Sequence, residues 1–266
     1  MTATRTAAIA AIGVAAGLLS GLFGIGGGII LVPAFIAIAK LDPKVAAGTS
    51  LLAIVPLAVS GVASYALIGG NVDIVLAAVL AAGSVLGAPL GAKILSIISR
   101  AQARWAFLIF LAAVAISLVL TVPSRDGMFV PSLGAIAAIA ALGFVVGIVS
   151  GVLGIGGGVI VVPVLVLAFG ISDLVAKGSS LLMIIATGMS GTIANARLRQ
   201  FDAPTALIAG IAAALTAPIG ALGAAWMSPV VANIAFAGLL VAIGATTLRG
   251  LLRERRKQRA SGQDTN

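Results

Sequence analysis

Two copies of one glycine-rich stretch carry the chemistry that this sequence can offer. The first reads Ser20-Gly21-Leu22-Phe23-Gly24-Ile25-Gly26-Gly27-Gly28-Ile29-Ile30-Leu31-Val32-Pro33. It returns 130 residues later as Ser150-Gly151-Val152-Leu153-Gly154-Ile155-Gly156-Gly157-Gly158-Val159-Ile160-Val161-Val162-Pro163, and every difference exchanges one apolar residue for another. Clustered glycines interrupt an apolar helix, because glycine weakens helices and readily takes positive φ. The helix that restarts at about Gly28 or Gly158 presents backbone N–H groups without intrahelical partners, at the positive end of its dipole. Such a terminus attracts an anion. Gly24, Gly26, Gly27 and Gly28, with Gly154, Gly156, Gly157 and Gly158, are therefore the candidate substrate-binding residues. Each block is followed by a hydroxyl pair, Thr49-Ser50 or Ser179-Ser180, that adds further donors.

Other readings of the glycines fail on their neighbours. No Gly-Lys-Ser/Thr follows, as a phosphate-binding loop requires, and Ile29 and Val159 stand where a dinucleotide fingerprint needs its last glycine. Gly24 and Gly28, four apart, would also suit close helix packing. Exact duplication beside a proline favours the binding reading. Pro33 and Pro163 each remove one helical hydrogen bond, whereas Pro89 and Pro218 read as plain kinks.

The elements that position these turns follow from composition. The chain is 61% hydrophobic and 9% charged, far below the roughly 25% charged residues of soluble domains. Apolar runs of spanning length recur throughout, so the fold class is all-α, a polytopic membrane protein. With neither cysteine nor histidine, thiolate chemistry, the commonest metal ligand and a neutral-pH proton shuttle are missing. The acids Asp42, Asp73, Asp126, Asp173, Asp202, Glu254 and Asp264 all fall in loops, helix ends or the tail. A cation route would normally keep a carboxylate at mid-membrane. No catalytic residue, metal or cofactor is expected, and an integral-membrane enzyme is disfavoured. Asp42 and Asp173 read as helix caps. Lys177, whose counterpart is Ala47, reads either as a surface snorkeller or as an anion-attracting residue at a pathway entrance. Asn195, with Arg197 and Arg199, could line an inner vestibule as a weaker pathway candidate, although a positive-inside loop explains the arginines more simply.

The first repeat, 1–121, holds a glycine-broken hairpin at 6–39 and helices at about 46–68, 74–98 and 105–121. A linker covers 122–131. The second repeat, 132–252, holds a hairpin at 132–170 and helices at about 176–196, 204–225 and 230–251, before a basic tail at 253–266. Charge selects the hairpin over a single crossing: only then do Arg125 and Lys177 alone face outside, with every other basic residue in the cytoplasm. An odd number of further crossings per half makes the repeats inverted, a known transporter plan. Tyr65, Trp105 and Trp226 fall near helix ends, as an aromatic belt would have them. The net charge of +9 reflects the tail after the last span, so nucleic acid is not an expected partner.

The doubled Gly-Ile-Gly-Gly-Gly…Pro block, each copy followed by Gly-(Thr/Ser)-Ser-Leu-Leu at 48–52 and 178–182, resembles the TauE/SafE sulfite exporter family over residues 6–252. The resemblance implies a transporter of the cytoplasmic membrane for sulfur-containing anions such as sulfite, thiosulfate or sulfonates, and the charge placement puts both termini in the cytoplasm. It fixes neither the anion nor the direction. A passive anion channel is the alternative. The expected partners are a small anion and the lipid bilayer, with a second copy of the chain left open.

Overall fold

The computed structural model describes residues 3–120, 127, 129 and 131–260, with the side chains of 100, 103, 104, 117–120 and 250–260 outside that description. Most of the 122–131 linker, including Arg125 and Asp126, and the end of the tail with Asp264 therefore lie outside the described residues, as do the side chains of Glu254 and the tail cations. Among the described residues the chain forms ten helices and no strand. In order they are α1 (Ala3–Phe23), α2 (Gly28–Ala37), α3 (Pro43–Leu67), α4 (Ile74–Ile97), α5 (Arg100–Leu120), α6 (Leu133–Leu153), α7 (Gly158–Phe169), α8 (Asp173–Arg197), α9 (Ala203–Trp226) and α10 (Pro229–Ala260). Seven of them are long and apolar enough to cross a membrane, while α2 and α7 are short. Large apolar side chains such as Leu67, Ile97 and Leu215 stand exposed on the outer faces, as lipid contact requires.

Local signals explain the helix starts. Asp42, Asp73 and Asp202 each accept a hydrogen bond from an amide in the first turn of α3, α4 and α9. Asp173 does not cap: Ser172 occupies that position, and the Asp173 carboxylate pairs with Lys177 instead. The start of α5 at Arg100, rather than about 105, comes from a reciprocal cap. The Ser99 amide donates to Gln102 Oε1, and the Gln102 amide donates to Ser99 Oγ. Helix α10 continues to Ala260, through residues that favour helix and that composition marked as tail.

Packing between the halves builds the core. The most extensive contacts join α1 to α9 and α4 to α6, with α3 and α8 crossing at the centre. Gly13, Gly17 and Gly21 of α1 face Ala209, Ala213 and Ala217 of α9, and a Cβ at any of them would strike backbone. Gly83, Gly87 and Gly91 meet α6 in the same way. Small residues spaced by four thus let the helices touch along their length. Packing along whole helices is the work of these glycines, whereas Gly24 and Gly28 admit close contacts at the turn itself.

The same pairs fix direction. Gly61 lies on Leu181 and Gly191 on Leu51, so α3 and α8 run antiparallel. Helix α9 runs parallel to α1 and to α3, whose Ser60 donates to Ala214 O at 2.6 Å. Helices α1 and α3 therefore start at the same end of the molecule, and the chain between them turns back at the glycines. Arg5 Nη2 donates to Ala39 O at 2.8 Å, which ties the two ends of the first hairpin together.

Candidate functional site

The two turns form as the glycine pattern requires. Gly24, Gly26 and Gly27 have φ of 71, 76 and 70°, and Gly154, Gly156 and Gly157 have φ of 72, 79 and 91°. These left-handed values favour glycine and reverse the chain between α1 and α2, and between α6 and α7. Gly28 and Gly158 begin the short helices in ordinary helical conformation.

The turns then meet. A Cβ built on Gly28 would lie 2.5 Å from Gly154 O, and one on Gly158 would lie 2.5 Å from Gly24 O. The contact is reciprocal, backbone on backbone. Each turn is also gripped from the opposite half. Ser180 Oγ donates to Gly24 O at 2.7 Å, and Ser50 Oγ donates to Gly154 O. Two of the expected donors therefore occupy the carbonyls of the turns.

What remains at the turns is a run of unpaired amides, with the carbonyls of Ile25, Gly26, Ile155 and Gly156 beside them. No acceptor among the described residues receives the amides of Ile25, Gly26, Gly27, Gly28 or Ile29, nor those of Ile155, Gly156, Gly157, Gly158 or Val159. All of these residues are buried. The first amides to be paired are Ile30 and Leu31, both bonded to Gly27 O, and their counterparts Ile160 and Val161, bonded to Gly157 O. Leaving a buried amide unpaired costs about 1–3 kcal/mol, so the sum over both turns would rival the roughly 5–15 kcal/mol of a domain's net stability. In the working protein these groups must be met by water or by an ion. The hydroxyls of Ser20 and Ser150, four residues before each turn, are fully buried and also without a partner. The sequence held the clue to them, because each is the first residue of the duplicated block.

The second pair of hydroxyls serves the frame. Thr49 Oγ1 accepts from the Asp202 amide at 2.9 Å, and Ser179 Oγ accepts from the Asp73 amide at 2.9 Å. Each joins the start of a central helix to the loop of the opposite half. Thr49→Val or Ser179→Ala would orphan that amide, and thermal unfolding should show a loss of about 1–3 kcal/mol in either variant.

Lys177 is 5% exposed, which removes the surface reading. Its Nζ lies 2.9 Å from Asp173 Oδ2, and its Cβ packs where a side chain on Gly24 would otherwise stand. Asn195 is fully buried and donates to Gly191 O at 2.9 Å. It lies beside Gly48 at the far end of α8 from Lys177. The pair of positions 65 and 195 thus carries Tyr65 at one end and Asn195 at the other. Tyr65 is not an interface anchor: it is 1% exposed and donates to Gly21 O at 2.7 Å, just before the first turn. Trp226, 91% exposed at the end of α9, does suit an interface.

On their outer side the turns rest on apolar packing. Ile25, Ile29, Ile155 and Val159 join Phe23, Phe107, Leu111 and Phe236 in one cluster with α5 and α10. The rings of Phe23 and Phe236 stack with centroids 4.7 Å apart.

Known proteins place this architecture. The chain is 30% identical over 208 residues to "Probable membrane transporter protein YunE" of Bacillus subtilis (strain 168), a match covering 69% of this chain and 76% of that protein. It is 37% identical over 89 residues to "Probable membrane transporter protein YdhB" of the same organism, covering 34% of this chain and 36% of that protein. No solved structure matches. The family model described as "Sulfite exporter TauE/SafE" matches residues 1–118 and 139–265. With both halves covered, and a glycine turn at the centre of each, the chain belongs to the TauE/SafE family of membrane transporters.

Proposed function

We propose that this protein is a secondary transporter of small sulfur-containing anions, of the sulfite, thiosulfate and sulfonate class, and that it performs no covalent chemistry. The reading rests on one observation: two buried runs of unpaired amides brought together, with the nearby carbonyls of Gly24 and Gly154 already taken by serine hydroxyls. Unpaired amides at the positive end of a helix attract negative charge. The buried, unpaired hydroxyls of Ser20 and Ser150 extend the same bias. The family description supplies the sulfur oxyanion. Backbone contact between the turns favours a carrier that must open over a passive channel. Purified protein in proteoliposomes should take up labelled sulfite or thiosulfate against chloride controls. Conductance in planar bilayers without any counter-ion would identify a channel instead, and absence of flux for every oxyanion would refute the assignment.

The antiparallel crossing of α3 and α8, which occupy equivalent places in the repeat, supports inverted topology for the two halves. Arg5, Lys44 and Arg199 gather at the end where α1 and α3 begin, which supports a cytoplasmic position for that end. Because the chain has no cysteine, single cysteines report side directly. Asn71→Cys and Arg199→Cys should label from opposite sides of the cytoplasmic membrane, with Arg199→Cys inside; labelling from one side would overturn inversion.

A further inference from the structure

Two isoleucines lie against the turns from the side of the central helices. Ile54 of α3 and Ile184 of α8 occupy matching places in the repeat, near the middle of their helices, and both are fully buried. A Cβ built on Gly26 would lie 2.8 Å from Ile184 Cδ1, and one on Gly158 would lie 3.0 Å from the same atom. On Gly156 it would lie 2.7 Å from Ile54 Cδ1 and 3.3 Å from Ile184 Cγ2. Gly28 and Gly158 also meet backbone of the opposite turn, Gly24 meets Cα and Cβ of Lys177, and Gly154 meets the backbone of Ala47. Gly27 meets Leu57 Cδ1 and Gly157 meets Val146 Cγ1, but of these side chains Ile184 reaches glycines of both turns.

The walls around the unpaired amides are therefore unequal. Backbone walls are fixed by the fold, whereas the isoleucine wall ends in methyl groups that can turn. A β-branched side chain in a helix is held in one χ1 well, so the movement open to each isoleucine is mainly a swing of Cδ1 about χ2. That swing yields room on the scale of a methyl group from each half.

We propose that Ile54 and Ile184 are the specificity-determining residues of the transporter, setting how bulky a substituent an oxyanion can carry into the site. The assignment rests on the anion reading above and names its selectivity filter. The oxyanion head is read by the amides, while the remainder of the molecule must fit beside the two Cδ1 methyls.

The test holds the head group constant and changes only the tail. Methanesulfonate and propane-1-sulfonate are compared as inhibitors of sulfite uptake in proteoliposomes. Ile54→Val and Ile184→Val remove Cδ1 alone. Each should improve inhibition by propane-1-sulfonate relative to methanesulfonate about tenfold or more, the discrimination that one methylene provides in an apolar pocket. Should a valine variant unfold, Ile54→Leu and Ile184→Leu keep the volume and relocate the terminal methyls, and the ratio must move there too. An unchanged ratio in folded variants that still carry sulfite overturns the assignment alone. A wild-type protein that carries no sulfur oxyanion overturns the anion reading and this assignment with it.

Discussion

Alanine at Gly28 or Gly158 should reduce anion flux to below about a tenth of wild type, although both positions are helical and alanine is the better helix former by about 1 kcal/mol. The new methyl group would sit 2.5 Å from the carbonyl oxygen of the opposite turn and 2.6 Å or 3.0 Å from the next Cα, that of Ile155 or Ile25. Normal carbon contacts need about 3.5–4.0 Å. The turns would have to part by about 1 Å, drawing Gly154 O from Ser50 or Gly24 O from Ser180. Overpacking of this kind costs about 1–3 kcal/mol, and it displaces the unpaired amides of both halves at once. Gly238→Ala in α10, with nothing within 4 Å of the added group, should leave flux intact and serves as the control. Flux is measured in proteoliposomes and folding by thermal unfolding. Full activity in Gly28→Ala would mean that contact between the turns is dispensable. Gly27→Asp should be worse than Gly27→Ala, because the carboxylate adds negative charge beside the amides, but at φ 70° even alanine is strained.

The second large effect concerns stability. Lys177→Met would leave Asp173, 4% exposed, as a buried carboxylate without its ammonium partner. Breaking a buried pair from one side costs about 3–5 kcal/mol. Asp173→Asn should cost a comparable amount from the other side. The double variant should be more stable than either single one, since neither charge is then buried alone. The equivalent positions in the first half are Pro43 and Ala47, so the fold accepts uncharged residues there. Unfolding of the four proteins in detergent completes the cycle, and additive losses would show that the two charges act independently.

How much was legible in the sequence depends on distance along the chain. The duplicated block and the turns inside it follow from local glycine and proline content, the return of each hairpin from the placement of the basic residues, and they were readable. That α3 and α8 pack on one another was not, because helical periodicity says which face is apolar and not which helix covers it. Ser50 and Ser180 looked like free donors for the same reason: their acceptors are 104 and 156 residues away. Tyr65 near a helix end suggested an interface, yet its hydroxyl finds Gly21 across the bundle. Lys177 left two readings open, a surface snorkeller or an anion-attracting pathway residue, because nothing local shows that it pairs with Asp173 in the interior. Ile54 and Ile184 carried no signal at all, being two apolar residues among many. Nothing local named α9 as the partner of Gly13, Gly17 and Gly21 either.

The pairing of α1 with α9 also sets a schedule for biogenesis. Helix α1 leaves the ribosome well before its mate, which begins at residue 203. At about 5–20 residues per second, α1 waits on the order of tens of seconds in the bilayer before α9 exists. During that wait its glycine face meets lipid, which cannot follow the groove that the alanines of α9 later fill. The serine grip on the first turn, through Ser180, is likewise supplied only by the later half. The paired turns are therefore among the last parts of the molecule to be completed, and a chain truncated before α9 lacks the helix that α1 packs against.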